Sequence, residues 1–145
     1  MIEVVLVAVN DSTPAFAAAA VAVDLAQALG ARVRAVTVLE PWPDGRTHGG
    51  ADLLDLRRRR EQAGEAALRH VTALGQGAGV EVSGVRREGA VAVAILDEAA
   101  AVEAGLIVLA RVSRRGHALP DIGSATLRVL EFATVPVLVV PTHAQ

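Results

Sequence analysis

Five short runs of apolar, mostly β-branched residues recur along the chain, and stretches with helical spacing separate them. The first run, residues 4–9, has no polar alternation, as expected of a strand that is buried on both faces. The later runs lie at 33–39, 80–85, 106–109 and 135–140. Strands that alternate with helices are joined by right-handed crossovers. The pattern therefore predicts a Rossmann-like α/β fold, in which a mostly parallel five-stranded sheet carries helices on both faces.

The helical stretches are bounded by residues that favour helix starts and stops. Ser12 or Thr13 can cap the first helix, Pro14 suits its first position, and Gly30 suits its end. We predict the other helices at about 51–74, 91–104 and 123–133, with the glycine-rich segment 75–79 as the loop that closes the second. A chain of 145 residues fits one core, so the prediction is a single domain over 1–145.

Composition excludes several chemistries. The chain has no cysteine and no lysine, which excludes disulfides, thiol catalysis, a Schiff base and a lysine-bearing phosphate loop. The four histidines lack the spacing of a metal site, and no serine stands in a Gly-x-Ser-x-Gly setting. We therefore predict no catalytic residue and no metal ligand, and a protein that is not an enzyme.

Charge and hydropathy argue against nucleic acid and membrane as partners. The net charge is −2, and Arg57 to Arg60 point in four directions around a helix, which predicts a solvated face. The apolar stretch 15–29 contains Asp24 and is shorter than the roughly 20 residues that span a bilayer. The apolar start of the chain follows Glu3 and lacks the basic residues of a signal peptide. We expect a cytoplasmic protein.

Ligands of parallel sheets bind outside the carboxyl ends of the strands, where the strand order reverses. In this chain those ends correspond to segments 10–13, 38–42, 86–89 and 110–124.

The last of these segments carries a motif. Gly123-Ser124 precedes a helix and the closing run Pro136-Val137-Leu138-Val139-Val140. The arrangement resembles the C-terminal half of universal stress proteins, in which Gly-x2-Gly-x9-Gly-Ser precedes a helix and a final strand. Counted back from Gly123, Ala110 and Ser113 stand where that family has its first two glycines, and Gly116 matches a further one.

The N-terminal half shows the same resemblance. The opening Val9-Asn10-Asp11-Ser12 is similar to the family's Val-Asp-Gly-Ser, with Asn10 in place of Asp and Asp11 in place of Gly. Val38 stands where a valine packs against adenine in nucleotide-binding members. The resemblance covers essentially the whole chain and implies an adenine nucleotide alpha hydrolase-like fold.

The resemblance further implies binding of ATP or a related adenine nucleotide, with or without Mg²⁺, and at most slow, incidental hydrolysis. The implied binding residues follow the first, second and fourth strands or open the last helix: Ala8, Val9, Asn10, Ser12, Val38, Ala110, Arg111, Ser113, Gly116, Gly123, Ser124 and Ala125.

Departures from the family pattern leave two functions open. Ala110 and Ser113 replace glycines, and a carboxylate such as Asp11 or Asp121 at about 5 Å from a phosphate would oppose it by roughly 1–3 kcal/mol. The Gly123-Ser124 pair can equally be a plain helix cap. The chain is then either a stress-response module that binds an adenine nucleotide weakly, or a dimeric interaction module with a vestigial pocket.

The last apolar run, from Val135 to Val140, predicts self-association. In the family's strand order it lies at the edge of the sheet, where an unpaired apolar strand is an aggregation hazard. We predict a homodimer in which two such strands pair antiparallel about a twofold axis, as the resemblance also implies.

Overall fold

The computed structural model describes residues 1–41, 50–111 and 123–141. In these ranges the chain alternates five strands with four helices. The strands are β1 (Val4–Ala8), β2 (Arg32–Leu39), β3 (Val82–Glu88), β4 (Leu106–Ala110) and β5 (Val137–Val140). The helices are α1 (Thr13–Leu29), α2 (Gly50–Ala78), α3 (Val91–Ala101) and α4 (Ser124–Phe132).

The strands form one sheet in the order β3-β2-β1-β4-β5, and every neighbouring pair is parallel. The predicted α/β fold is therefore confirmed. The chain passes from β1 to one side through β2 and β3, then returns to build β4 and β5 on the other side. The strand order thus reverses between β1 and β4, and their carboxyl ends flank the switch point.

The central strand β1 is buried on both faces, as its continuous apolar run predicts. Val5 and Val7 pack with α1 and α2, whereas Val4 and Leu6 pack with α3 and α4. None of the four is more than 3% exposed. The two apolar layers hold the sheet rigidly and fix the positions of the strand ends.

The boundaries of α1 agree with the cap residues in the sequence. Ser12 is the N-cap and its hydroxyl accepts a hydrogen bond from the Ala15 N–H at 3.3 Å, while Gly30 ends the helix in the left-handed conformation. Within the described ranges, no helix combines the length and the apolar character needed to cross a bilayer.

The second helix is longer than the sequence predicts. It continues through Gly75 to Ala78, and β3 begins at Val82 and extends to Glu88 instead of spanning 80–85. A Cβ on Gly75 would lie 2.3 Å from Val82 Cγ2, so this glycine lets the helix approach the strand instead of ending the helix. The residue that turns the chain is Gly79, with φ +70°.

Two other predicted boundaries need smaller corrections. Helix α3 ends at Ala101 instead of residue 104, because the next residues form a turn in which Ala104 N–H bonds back to the Ala99 carbonyl. Strand β5 begins at Val137 instead of Val135, because the ladder with β4 starts at the Ile107–Val137 pair.

Candidate ligand-binding cleft

A cavity of about 190 Å³ lies at the carboxyl ends of β1, β2 and β4, between the first turns of α3 and α4. We call it the switch-point cavity. Its lining is mostly aliphatic: Ala8, Val9, Asn10, Ser12, Pro14, Ala15, Val36, Val38, Glu40, Val91, Ile95, Leu109, Ala110, Ala125 and Thr126. An apolar slot with a few polar groups at its mouth is typical of sites for small, partly aromatic ligands.

One wall of this cavity carries backbone groups that lie past the end of a strand ladder. The pairing of β1 with β2 ends at Ala8 and Val36, and the last bond runs from the Val9 N–H to the Val36 carbonyl at 2.9 Å. Because alternate residues of a strand face the same neighbour, the next N–H and C=O on this side belong to Val38. The bonds to β3 on the other side come from the alternate residues of β2, such as Leu39, whose carbonyl accepts from the Gly89 N–H, so that ladder does not use the two Val38 groups. Val38 thus offers one donor and one acceptor, side by side, to a ligand.

The turn after β1 orients the side chain of Asn10. The Ser12 hydroxyl donates to the Asn10 side-chain carbonyl, and the Ser12 N–H donates to the Asn10 backbone carbonyl at 2.9 Å. With its side-chain carbonyl bonded to Ser12, Asn10 can offer the N–H groups of its amide nitrogen to a ligand.

A second cavity of about 330 Å³ lies on the other side of the β2 end, against α2. It shares Asn10, Ser12, Val38 and Glu40 with the first cavity. Asp11 and Arg60 line this second cavity and do not line the first. The prediction that the arginine run is solvated is therefore correct for Arg57 to Arg59, which are exposed. Arg60 is half-buried and lines the second cavity.

The structure brings together most of the residues that the sequence singles out. Those that line the switch-point cavity are Ala8, Val9, Asn10, Ser12, Val38, Ala110 and Ala125. Gly123 and Ser124 immediately precede Ala125, with Gly123 as the N-cap of α4 and no side-chain cap bond. The Arg111 N–H donates to the Val140 carbonyl at 2.9 Å, which fixes the chain where it leaves β4. Ser113, Gly116 and Asp121 lie outside the described residues, as does Trp42.

Eight lining residues are not among the predicted site residues, and four of these, Glu40, Val91, Ile95 and Thr126, show why they were missed. Glu40 follows β2 directly and lies in segment 38–42, one of the segments that the sequence places at the carboxyl end of a strand. The other three lie on α3 and α4, and their approach to the cavity depends on the rotation of each helix about its axis. Among the described residues, no three His, Asp or Glu side chains come together as a metal site.

The fold defines a class, the parallel α/β proteins whose strand order reverses at a topological switch point, and the cavity lies at that point. The sequence matches the model of the universal stress protein family over residues 1–141, and the chain belongs to that family. The resemblance stated from the sequence is thereby confirmed.

Solved structures of universal stress proteins are similar to this chain in fold. UspA from Lactobacillus plantarum is similar with a TM-score of 0.79 and 26% identity, covering 95% of this chain and 97% of that one. A universal stress protein in complex with cAMP has a TM-score of 0.75 and 24% identity, with 98% and 99% covered. One from Archaeoglobus fulgidus in complex with dAMP has a TM-score of 0.67 and 19% identity, with 96% and 97% covered. The last two likenesses concern the fold alone. No curated protein matches the chain significantly.

Proposed function

We propose that this protein is a stress-response module that binds an adenine nucleotide in the switch-point cavity and has no dedicated catalytic machinery. The observation that carries the proposal is the Val38 backbone. Adenine presents the N1 acceptor beside the N6 amino donor, which matches the N–H and C=O that Val38 offers past the end of β1. The aliphatic lining suits the faces of the base. Two structural relatives were solved with cAMP and with dAMP.

The start of α4 suits the phosphate end of such a ligand. The first N–H groups of a helix have no partner within the helix and carry a partial positive charge. Ala125 lies in the cavity wall, and the exposed Ser124 hydroxyl stands beside it without capping the helix. We infer that the phosphates contact this turn.

Carboxylates near the cavity determine how strongly we expect the nucleotide to bind. Exposed Glu40 borders the cavity, whereas Asp11 borders its neighbour. At the rim each repels a phosphate, by an amount that solvent and salt reduce. We therefore expect weak binding, with a Kd of about 0.1–1 mM.

A matched pair of substitutions on α3 tests the location of the site. Val91 lines the cavity, whereas Val93, in the same first turn, is 56% exposed. Val91→Trp fills the space that the base would occupy, so we expect it to weaken ATP binding at least about tenfold. Val93→Trp adds the same side chain toward solvent and should bind like the wild type. Calorimetric titration measures both, and equal binding by the two variants would place the ligand elsewhere.

Base selectivity tests the role of the Val38 backbone. In ITP and GTP a carbonyl replaces the 6-amino group and N1 carries a hydrogen, so donor would face donor and acceptor would face acceptor. Because an unmatched buried polar group costs about 1–3 kcal/mol, ATP should bind about tenfold or more tightly than ITP. Competition of ATP, ITP and GTP against a fluorescent adenine nucleotide measures the ratio. Equal affinities would contradict this recognition.

We also propose that the protein assembles as a homodimer through β5. The two edges of the sheet differ. On β3, Arg86, Arg87 and Glu88 each form an ion pair within the chain, and charged residues protect an edge from pairing. On β5 all four residues are apolar, and Leu138 is 38% exposed. The apolar edge is the one suited to pair with a second copy.

Proline substitution at the open edge tests the dimer. The Pro136 and Val140 carbonyls bond to the β4 side, so by alternation the Val139 N–H faces the open edge. Val139→Pro removes that donor without touching the ladder with β4, and it should yield a monomer in sedimentation velocity at micromolar concentration. Arg86→Pro alters the opposite edge and should remain dimeric. A monomeric wild-type protein would contradict the proposal.

A further inference from the structure

We propose that Glu98 is a positioning residue, which holds the α3 wall of the switch-point cavity against the ends of β2 and β3. Its effect on ligand affinity depends on the proposed nucleotide binding, whereas its effect on α3 does not.

Glu98 is a buried charge with two partners on the sheet. Its side chain is 4% exposed on the inner face of α3. One carboxylate oxygen accepts from Arg34 Nε on β2, and the other accepts from Arg87 Nε on β3, each at 3.0 Å. Arg34 also donates from Nη1 to the Ser83 hydroxyl at 3.0 Å, which orients the guanidinium. One carboxylate thus joins one helix to two strands.

The carboxylate is ionised at neutral pH. Burial disfavours the charge and acts to raise the pKa of Glu98, but the hydrogen bonds and positive charges of Arg34 and Arg87 together outweigh burial and lower the pKa. A charge that is buried with two bonded arginines cannot leave them without a large desolvation penalty. The position of this turn of α3 is therefore tightly fixed.

The turns of α3 that precede Glu98 form the cavity wall. Ile95 lies three residues before Glu98, and both Ile95 and Val91 line the cavity. The N-terminus of α3 is held by the apolar packing of Ala92 and Ile95, since the N-cap Ala90 provides no side-chain bond and the first turn contains no acidic residue. The ion pairs of Glu98 with Arg34 and Arg87 join this helix to the sheet.

The same carboxylate also acts on the opposite wall. Arg87 is the register partner of Val38, the residue whose backbone groups face the cavity. Because Arg87 is bound to Glu98, β3 is fixed beside Val38 while α3 is fixed beside Val91 and Ile95. One cluster of ion pairs outside the slot thus connects the α3 wall with the strand beside Val38.

The test separates positioning from general stability. Glu98→Gln removes the charge at constant shape, and Arg87→Gln removes one partner as a milder variant. Val71→Ala serves as the control, since Val71 is fully buried on the opposite face of the sheet, under α2. Hydrogen exchange of the ligand-free proteins and their affinity for ATP are measured, together with melting temperature.

For Glu98→Gln we expect amides of the first two turns of α3 to exchange about tenfold faster, while amides of α1 keep their relative rates. We expect ATP affinity to fall about fivefold. Arg87→Gln should show the same pattern to a smaller extent, and Val71→Ala should lower the melting temperature with neither effect. Unchanged α3 exchange, or equal changes in Val71→Ala, would overturn the positioning role. If the wild type binds no adenine nucleotide, the proposed function fails, and hydrogen exchange alone decides the role of Glu98.

Discussion

Replacing Gly75 by alanine is expected to lower the free energy of unfolding by about 2 kcal/mol, because overpacking of a well-packed contact typically costs about 1–3 kcal/mol. A Cβ at this position would lie 2.3 Å from Val82 Cγ2 and 2.8 Å from the Val80 carbonyl oxygen. Valine is stiff at χ1, and the Val80 carbonyl belongs to a peptide backbone that is held in the turn by the bond from the Val80 N–H to the Gly75 carbonyl, so neither neighbour can move freely. The start of β3 or the end of α2 must shift.

Gly77 provides a matched control on the same helix. It is exposed, and a Cβ there would meet nothing within 4 Å. Gly77→Ala should raise the free energy of unfolding by about 0.5 kcal/mol, because alanine has the better helix propensity. Urea denaturation of the two variants measures the difference. Equal stabilities would mean that α2 ends before Gly75 and that the glycine-rich segment is a loop.

Glu98→Gln is expected to lower the free energy of unfolding by about 2–3 kcal/mol at neutral pH, because breaking a buried ion pair leaves the charges of its partners uncompensated. We expect the low end of the usual range, since the Arg34 and Arg87 side chains are 26% and 33% exposed and retain some hydration.

The stability difference between the wild type and Glu98→Gln is expected to depend on pH. Since folding lowers the pKa of Glu98 below its ordinary value of 4.5, the charged form stabilises the folded state fully above that pH. This contribution is lost as the pH falls through the lower, folded-state pKa. The stability difference between wild type and Glu98→Gln should therefore be constant from about pH 7 to pH 5 and shrink as the pH falls below 4.5 through the folded-state pKa. Urea denaturation at each pH measures it, and an undiminished difference in acid would contradict the ionised state of Glu98.

The fold could be predicted from the sequence because its strongest signals are local. The apolar run of β1 and the cap residues of α1 depend on neighbours along the chain. Gly75 misled the boundary prediction because a glycine between helix and strand can serve either as a stop or as a point of close approach. Only the packing of α2 on Val82 distinguishes these roles.

The candidate site could be predicted in part for a similar reason. Parallel strands carry their carboxyl ends to one edge, so residues such as Asn10 and Val38 meet whatever the details of packing. Val91 and Ile95 could not be assigned, because the sequence does not fix how far α3 rotates about its axis. The role of Glu98 likewise needs the register that brings Arg34 and Arg87 to the same carboxylate.

The most direct test of adenine nucleotide binding is a titration of the purified wild-type protein with ATP and Mg²⁺, after any co-purified nucleotide has been assayed and removed. We expect the heat of binding at one site per chain, with a Kd of about 1 mM or below. At an ATP concentration ten times the Kd, the free energy of unfolding should rise by about 1.4 kcal/mol. No heat and no thermal shift at millimolar ATP would contradict the account and would leave the β5 interaction surface as the functional feature of this chain.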